Sequence, residues 1–271
     1  MTATALTKIE VVYEDDVLLA VNKPAGLLVH RSAIAADERD FLLERLREQT
    51  GATLYLAHRL DRATSGIVLL AKSREIAGEL GKQFMARSID KGYLAVVRGW
   101  PDATGTIDYA LPDVRERSPR KPAVTTWRVL ATATVPIELG RYPQQRYALI
   151  EASPQTGRYR QIRKHMHHVS HHIVGDTSHG RGDHNRLIRQ HYGVHRMLLH
   201  AWRIEVQHPA TGNPLRLEAP LDAAWERLLD AFGWEAALAG HATHGSVPAV
   251  KPPAAAYQAR AGGDEVDTPV K

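Results

Sequence analysis

The sequence predicts one globular unit that mixes β-strands with α-helices and is followed by a polar tail. Short apolar runs rich in branched residues, such as residues 67–71, are typical of buried strands. Apolar residues spaced three and four apart, as in 76–84 and 225–232, are typical of helices with one buried face. After about residue 236 large apolar residues become rare. We therefore expect an N-terminal extension over 1–8, one domain over 9–235 and a disordered tail over 236–271.

The N-terminal half alternates strands and helices. Two apolar runs in residues 9–22 flank Glu14-Asp15-Asp16, which predicts a hairpin that ends at the break Lys23-Pro24-Ala25-Gly26. Residues 38–50 carry apolar side chains among charges and predict an amphipathic helix. Ser73 can cap the next helix. Residues 89–98 are rich in β-formers and predict a strand.

The C-terminal half continues the mixture. A loop rich in Pro and basic residues is expected to be exposed over 112–123, and strands are expected over 123–130 and 146–151. Asp183 could cap a short helix that runs through Tyr192, in a basic segment that either contacts a nucleic-acid backbone or is a solvated insertion. A hairpin is predicted from strands over 197–206 and 215–219. A final helix, predicted from about Asp222, completes the domain.

Composition narrows the classes of function. The chain of 271 residues has no Cys, which excludes disulfides and thiolate metal sites. No run is long enough to span a bilayer and no charged-then-apolar leader is present, so we expect no membrane association and a cytoplasmic location. The net charge is +5 and the pI is about 9.4. A basic surface favours a polyanionic partner, most simply a nucleic acid.

The stretch from His58 to Gly66, HRLDRATSG, directly precedes the buried strand at 67–71. Thr64-Ser65-Gly66 predicts a turn, so Asp61 would lie in a loop at the mouth of a core strand, a rigid support for chemistry. Arg59 and Arg62 flank Asp61 and would favour its ionised form. Spacing alone does not separate this interpretation from a carboxylate that only stabilises a polar turn.

A second set of polar residues lies in 156–166. Helical spacing places Ile162, Met166 and Val169 on a core face, and it places a cationic face around Arg160, Arg163, Lys164 and His167. Two of the nearby histidines, His167 and His171, are four apart and could share a helix face as zinc ligands do. No Glu follows the first His and the neighbours are cationic, so we predict no metal site. Most of these histidines are expected to face solvent or RNA; the five are His165, His167, His168, His171 and His172.

HRLDRATSG resembles the active-site signature of the pseudouridine synthases related to ribosomal large-subunit pseudouridine synthase A. Three further segments, Asn22 to His30, Lys91 to Ala95 and Thr156 to His165, resemble other motifs of that family. The segment from His171 to Asp176 resembles its His-Pro-Ile-x-Gly-Asp, with His172 in place of Pro, which predicts a less rigid turn. The resemblance covers about residues 9–234. It implies an α+β fold with a long mixed, mainly antiparallel sheet, flanking helices and a central RNA-binding cleft.

The resemblance also implies roles for individual residues. Asp61 would be the essential catalytic residue, as nucleophile or as base, and Arg163 would pair with it, because a carboxylate in a water-poor pocket needs a cationic partner. Tyr93 would lie against the target base; without the resemblance, a half-buried strand tyrosine is the simpler interpretation. Arg59 would fill the space that a flipped uridine leaves. Further RNA contacts are expected at His58, Arg62, Thr64, Arg160, Lys164 and Lys23, although a solvated Lys23 is the simpler interpretation.

Within that family, several motifs resemble members that modify uridine 65 in the acceptor/T-arm stem of tRNA. They are His58 to Gly66, Gly140 to Pro143, Gly175 to Gly180, Asn185-Arg186 and Phe232-Gly233-Trp234. The resemblance implies an isomerase with tRNA as its RNA partner, no cofactor, no obligate protein partner and a monomeric state. The alternatives are the same reaction on ribosomal RNA, a non-catalytic RNA-binding protein with this fold, and a metallohydrolase that uses the histidines.

Overall fold

The computed structural model describes residues 8–31, 38–112 and 119–239. The strands in these ranges are β1 (Glu10–Glu14), β2 (Leu18–Lys23), β3 (Tyr55–Leu56), β4 (Ser65–Ala71), β5 (Asp90–Arg98), β6 (Thr104–Asp108), β7 (Leu111–Pro112), β8 (Arg120–Lys121), β9 (Val124–Val135), β10 (Gln145–Pro154), β11 (Leu199–Gln207) and β12 (Pro214–Glu218). The helices are α1 (Leu42–Thr50), α2 (Arg74–Ala86), α3 (Gln161–His168), α4 (Gly182–Tyr192), α5 (Ala223–Phe232) and α6 (Ala236–Ala239).

A 10-stranded sheet organises the molecule. Its main path has the order β1-β2-β4-β11-β5-β10-β9-β6, while β12 pairs with β11 and β3 pairs with β4. Among the strands of the described ranges, β4 and β11 form the one parallel pair, through His200–Ser65 and Ala201–Gly66. The predicted α+β class with a long, mainly antiparallel sheet is confirmed. None of the described helices is long and apolar enough to cross a membrane.

The two faces of the sheet are buried by different helices. On one face, β5 and β10 pack against α4 and α5, through a core that includes Leu94, Val96, Leu187, Trp225 and Phe232. On the other face, Ala95, Val97 and Ile150 pack against Ile162 and Met166 of α3. The predicted core positions of α5 are all buried. All seven residues of β4 are buried, as its continuous apolar run predicts.

The hydrogen bonds at the helix starts confirm one predicted cap, add another and correct a third. The Ser73 side chain accepts a hydrogen bond from the Ile76 amide at the start of α2. Asp222 caps α5 through the amides of Ala224 and Trp225. Asp183, by contrast, lies inside α4, which begins at Gly182. That helix buries four side chains, so the segment is not a solvated insertion.

Three boundaries differ from the sequence-based expectation. The turn before β4 lies at Arg62 and Ala63, and Gly66 belongs to the strand. The expected exposed loop over 112–123 is partly structured, because β7 pairs with β8; residues 113–118 lie outside the described part. Helix α6 extends past the predicted domain end at 235, and Ala237 and Leu238 pack against the core. Residues 1–7 and 240–271 lie outside the described part, so the extension and the tail stay predictions.

Candidate active site

Asp61 lies in the loop between β3 and β4, at the N-terminal end of the buried strand. Its carbonyl accepts a hydrogen bond from the Thr64 amide (3.1 Å), which closes the turn that leads into β4. The side chain is 22% exposed, so solvent or a substrate can reach the carboxylate. Because β4 is packed on both faces, the loop has a rigid base.

Arg163 approaches Asp61 from the first turn of α3. The start of this helix is fixed by Gln161, whose Oε1 accepts hydrogen bonds from Thr156 Oγ1 (2.6 Å) and the Arg158 amide (3.0 Å). The Arg163 side chain is 5% exposed, and its Nη1 donates to Asp61 Oδ2 at 3.0 Å. The predicted pairing of Arg163 with Asp61 is therefore present, and Arg163 belongs to the interior rather than to a solvated cationic face.

Asp176 holds the other edge of the Arg163 guanidinium. Arg163 Nε donates to Asp176 Oδ2 (2.7 Å) and Nη2 donates to Oδ1 (2.8 Å), a bidentate pair. The Asp176 side chain is 1% exposed and also accepts the backbone amides of Ser178 and His179. Sequence reasoning gave Asp176 no role, although its place in the Gly-Asp of a recognised motif was the available indication.

The charges of this set stabilise one another. Burial alone would lower the pKa of Arg163, but the hydrogen bonds and charge of Asp176, together with the charge of Asp61, raise it. Burial alone would raise the pKa of Asp176, but the hydrogen bonds and charge of Arg163 lower it. Arg163 and Asp176 are therefore both held in their charged forms, and the third edge of the set is the partly exposed Asp61 side chain.

Tyr93 lies on β5, in the middle of the sheet. It pairs with Ala201 of β11 and with Ala152 of β10, and its partly buried ring contacts the apolar clusters on both sides. Burial and the negative charge of Asp61 raise the pKa of the Tyr93 hydroxyl. Tyr93 is therefore a neutral aromatic group within the field of Asp61 at pH 7.

Lys23 corrects both expectations for this residue. Its side chain is 0% exposed, and Nζ donates to the carbonyls of Pro24 (2.8 Å), Leu27 (2.8 Å) and Arg62 (3.1 Å). Three acceptors match the three protons of an ammonium group. Burial and the charge of Arg196 lower the pKa of Lys23 to about 7. Lys23 is thus neither solvated nor turned toward a phosphate; from the end of β2 it connects the bend that follows the first hairpin to the loop that carries Asp61.

A second buried set, which sequence reasoning missed, supports the start of β4. Ser65 Oγ lies 2.7 Å from His200 Nδ1 and accepts a hydrogen bond from Arg196 Nη2 (2.7 Å). Arg196 also pairs with Asp222, the cap of α5. Gly66 (φ +109) is required here, because a Cβ atom would lie 2.2 Å from the carbonyl oxygen of Ala201. No spacing in the sequence indicates these contacts, since they join β4 to residues beyond 195.

The remaining expected RNA contacts divide between surface and interior. Arg59 and Arg62 are exposed, and Arg62 donates to the Gly26 carbonyl and pairs with Glu38. Thr64 is 3% exposed and Lys164 is 8% exposed. Both were expected to contact RNA, but their side chains are buried. His58 Nε2 accepts the Leu69 amide (3.0 Å), and burial followed by the charge of Lys91 lowers its pKa to about 4. His58 therefore positions the chain rather than presenting a charge.

Arg160 and Lys164 both lie beside the exposed ring of Tyr159. Arg160 adopts a left-handed conformation (φ 55) at the start of α3, and its guanidinium lies 4.8 Å from the Tyr159 ring centroid. Lys164 Nζ lies 5.5 Å from the same centroid.

The histidines of 165–172 differ in their surroundings. His165 is fully buried, against Thr125 Oγ1 and the Tyr109 carbonyl, and is thus an exception to the expectation that most of these histidines face solvent or RNA. His171 Nδ1 reaches the Arg98 carbonyl (2.9 Å), whereas His167 Nδ1 lies 3.2 Å from His172 Nδ1. Within 8–31, 38–112 and 119–239, no group of three His, Asp or Glu side chains is arranged to hold a metal ion.

The family model described as RNA pseudouridylate synthase matches residues 17–168. The chain belongs to the RNA pseudouridylate synthase family. The predicted family and enzyme class, an isomerase, are thereby confirmed, and Asp61 and Arg163 both lie within the matched segment.

Relatives extend the similarity over most of the chain. It is 43% identical over 239 residues to tRNA pseudouridine synthase C of Vibrio cholerae serotype O1, covering 85% of this chain and 98% of that protein. It is 45% identical over 241 residues to tRNA pseudouridine synthase C of Pectobacterium carotovorum subsp. carotovorum, covering 86% of this chain and 64% of that protein. The structure of Human RNA Pseudouridylate Synthase Domain Containing 1 has a TM-score of 0.64 at 23% identity, over 90% of this chain and 100% of that one, which shows a shared fold.

Proposed function

We propose that this protein converts uridine to pseudouridine in tRNA, at uridine 65 of the acceptor/T-arm stem, as a cytoplasmic monomer. The observation that carries the reaction is the accessible Asp61 carboxylate, held by a buried Arg163 that Asp176 fixes in turn. The choice of tRNA rests on the relatives named tRNA pseudouridine synthase C. The choice of uridine 65 rests on the motifs shared with the members that modify it.

The chemistry requires no co-reactant. The bond from C1′ to N1 breaks, the uracil turns and a bond from C1′ to C5 forms; the C5 proton leaves to solvent and N1 takes up a proton from solvent, so substrate and product are isomers. Asp61 acts either as a nucleophile at C1′ or as a base that removes a ribose proton. Both routes need an ionised carboxylate at a fixed position, and Arg163 supplies the charge and the orientation.

The target uridine must leave its stack before Asp61 can reach the ribose. Arg59 is exposed two residues from Asp61, where its guanidinium can occupy the vacated space. Tyr93 stacks on the extruded base. Because the pKa of Tyr93 is raised, its hydroxyl stays protonated at pH 7 and donates a hydrogen bond rather than serving as a resident base.

Release of tritium from uracil C5 tests this proposal. Unmodified tRNA transcripts labelled at C5 are incubated with wild type, Asp61→Asn or Asp16→Asn in the presence of a chelator, and the modified position is mapped. Asp16→Asn is the matched control, because it removes an exposed carboxylate in the turn between β1 and β2. We expect release at position 65 by wild type and by Asp16→Asn, and none above background by Asp61→Asn.

Each of the other outcomes rejects a particular part of the proposed function. Release from ribosomal RNA but not from tRNA keeps the chemistry and rejects the substrate. RNA binding without release from either RNA favours a non-catalytic RNA-binding protein. Loss of release with chelator, restored by zinc, favours a metal-dependent enzyme. Tyr93→Phe separates stacking from proton donation, since the ring persists: unchanged turnover limits Tyr93 to stacking.

A further inference from the structure

The turn over residues 175–180, which we name the Asp176 turn, supports the candidate active site. Asp176 Oδ1 accepts the amide of His179 (2.9 Å), so the carboxylate and the second half of the turn are fixed to each other. The same carboxylate holds Arg163, which in turn pairs with Asp61. A group that fixes this turn therefore also fixes the position of Asp61.

The first half of the turn is attached to α4 through Asn185. Its Oδ1 accepts the Gly175 amide (2.7 Å), and its Nδ2 donates to the Asp176 carbonyl (2.9 Å). Gly180 ends the turn in close contact with its beginning, because a Cβ atom at 180 would lie 2.1 Å from the Asp176 carbonyl oxygen. In the second half, the amide of His179 is bound within the turn, and its carbonyl receives contacts from other elements.

Two histidines make these contacts, one on α3 and one in the segment that follows it. His167 Nδ1 lies 3.1 Å from the His179 carbonyl oxygen, and His172 Nδ1 lies 2.9 Å from the same oxygen. Because a carbonyl oxygen only accepts, Nδ1 carries the proton in each bond, and a second proton on either ring would go to Nε2. The two Nδ1 atoms are 3.2 Å apart, and the ring centroids are 4.9 Å apart. One acceptor therefore holds two imidazoles in contact.

His172 is fixed to the sheet by its backbone. Its carbonyl accepts the Arg98 amide at the end of β5 (2.9 Å), and the next residue, Ile173, forms a bridge with Val97. His167 is exposed on α3, whereas His172 is partly buried. The histidine pair thus joins the Asp176 turn to both α3 and β5.

The surroundings of the histidine pair are cationic. Burial lowers the pKa of His172, and the charges of His167, Arg98 and Arg181 lower it further; the hydrogen bond that it donates acts in the opposite direction. His184 of α4 also interacts with His172, and burial lowers the pKa of His184 to about 4. His172 therefore stays neutral at pH 7. A released turn would bind a proton more readily than the closed turn, so acid favours release.

The turn itself brings a further titratable ring to the pair. The ring centroid of His179 lies 6.1 Å from that of His167. Burial lowers the pKa of His179; the charges that act on it are those of Asp176, which raises it, and of Arg163, Arg160 and Lys164, which lower it. The charge of Asp176 is already balanced by Arg163, to which both of its oxygens are bound.

Protonation changes what the histidine pair can do. With neutral rings, both Nδ1–H groups share one carbonyl acceptor. With both rings charged, two cations would be held with nitrogens 3.2 Å apart beside Arg98 and Arg181, and like charges at this distance repel. Two histidines that were only solvated would not need to direct both Nδ1 atoms at the same oxygen.

We propose that His167 and His172 are positioning residues for Asp61, and that they act through the His179 carbonyl and the Asp176 turn. This inference rests on the proposed function. With neutral rings the pair closes the turn, which keeps the guanidinium against the Asp61 carboxylate. In acid, a charge on each ring drives the pair apart, the turn is released, and kcat falls while the affinity for RNA is kept.

The test compares a substitution that keeps the donor with one that removes it. Asn places its Nδ2–H near the position of the imidazole Nδ1–H but takes up no proton, whereas Leu has no donor. Tritium release is measured from pH 5 to pH 8 for wild type, His172→Asn, His172→Leu and His191→Leu. The last variant is the matched control, because His191 is exposed in the last turn of α4.

At pH 8 we expect His172→Leu to lower kcat about 5-fold at unchanged KM, while His172→Asn and His191→Leu match wild type. As the pH falls below about 6.5, wild type and His191→Leu should lose kcat, and His172→Asn should retain a larger fraction of its pH 8 value. Full turnover by His172→Leu, a raised KM at unchanged kcat, or an acid decline of His172→Asn equal to that of wild type would overturn the inference.

Amide hydrogen exchange separates this inference from the proposed function. At pH 8 the amides of Ser178 and His179 should exchange faster in His172→Leu than in wild type or His172→Asn, and equal rates would also overturn the inference. If wild type releases no tritium from any RNA, the proposed function fails, and amide exchange alone decides whether the pair holds the turn. His167→Leu repeats the comparison if His172→Leu does not fold.

Discussion

Replacing Asp176 by Asn tests how the buried guanidinium of Arg163 is held. The substitution keeps the size of the side chain but turns one oxygen into an N–H donor. Asp176 Oδ1 can still accept Arg163 Nη2 and the amides of Ser178 and His179, whereas the group at Oδ2 would now face the Arg163 Nε donor. One charge-assisted hydrogen bond is lost, and the new side-chain N–H of Asn faces the Arg163 Nε–H.

The expected magnitude follows from these contacts. Loss of a hydrogen bond to a charged group costs roughly 1.5–3 kcal/mol, and breaking a buried ion pair from one side costs roughly 3–5 kcal/mol. Because Asp61 still faces Arg163, we expect the lower end, about 3 kcal/mol of unfolding free energy. Arg163 would then be held mainly by Asp61, and under the proposed function a displacement of the order of 1 Å lowers kcat about 100-fold.

Urea unfolding followed by circular dichroism, together with tritium release, measures both effects at pH 7. Asp183→Asn is the matched control, because Asp183 also pairs with an arginine but is 38% exposed; it should cost less than about 1 kcal/mol. The pKa of Asp176 is lowered, so its contribution is present above the unfolded value of about 3.8 and is lost as the pH falls below it. The difference in unfolding free energy between Asp176→Asn and wild type should therefore become smaller as the pH falls. Equal stability and turnover of the Asp176 and Asp183 variants would refute the reasoning.

Three further predictions concern the support of the site. Gly66→Ala should destabilise the protein by more than about 3 kcal/mol, since its Cβ would meet backbone at 2.2 Å, while Gly78→Ala in open space on α2 should stabilise it by about 0.5–1 kcal/mol; urea midpoints that shift in the same direction would contradict this. Burial lowers the pKa of His200 to about 4, so the unfolded chain binds more protons between pH 6.5 and 4 and wild type loses stability on acidification; His200→Gln should remove up to roughly 3 kcal/mol of that loss, and an unchanged pH slope would refute it. Lys23→Met should cost at least about 2 kcal/mol and reduce kcat, because three buried carbonyls lose their donor, whereas Lys82→Met, exposed on α2, should change neither quantity in the same assays.

The sequence predicted the elements whose pattern is local. The apolar run of β4 and the spacing of Trp225, Leu228, Leu229 and Phe232 on α5 carry their burial in the residue types themselves. The cap of α2 needed only Ser73 next to a periodic segment. For these elements the nearest neighbours along the chain decide the structure.

The predictions that were wrong involved polar groups whose partners are distant in sequence. Lys23 and His165 are polar residue types that usually face solvent. Both are buried, and each has a backbone carbonyl partner far along the chain: Arg62, 39 residues from Lys23, and Tyr109, 56 residues from His165. Asp176 looked like a turn residue, since nothing near it in sequence shows that it accepts hydrogen bonds from Nε and Nη2 of Arg163. The pairing of Asp61 with Arg163, 102 residues apart, was predicted from family resemblance and not from spacing.

The parallel contact between β4 and β11 has a consequence for biosynthesis. Ser65 and His200 are 135 residues apart, so β4 acquires its β2 and β3 neighbours early, but its other edge stays open at Ser65 and Gly66 until β11 has left the ribosome. The loop with Asp61 is thus completed only when nearly the whole domain has been translated. A nascent chain that already contains Asp61 and Arg163 lacks the strand that fixes the base of this loop, and unfinished copies of the enzyme hold the Asp61 carboxylate on an incomplete sheet.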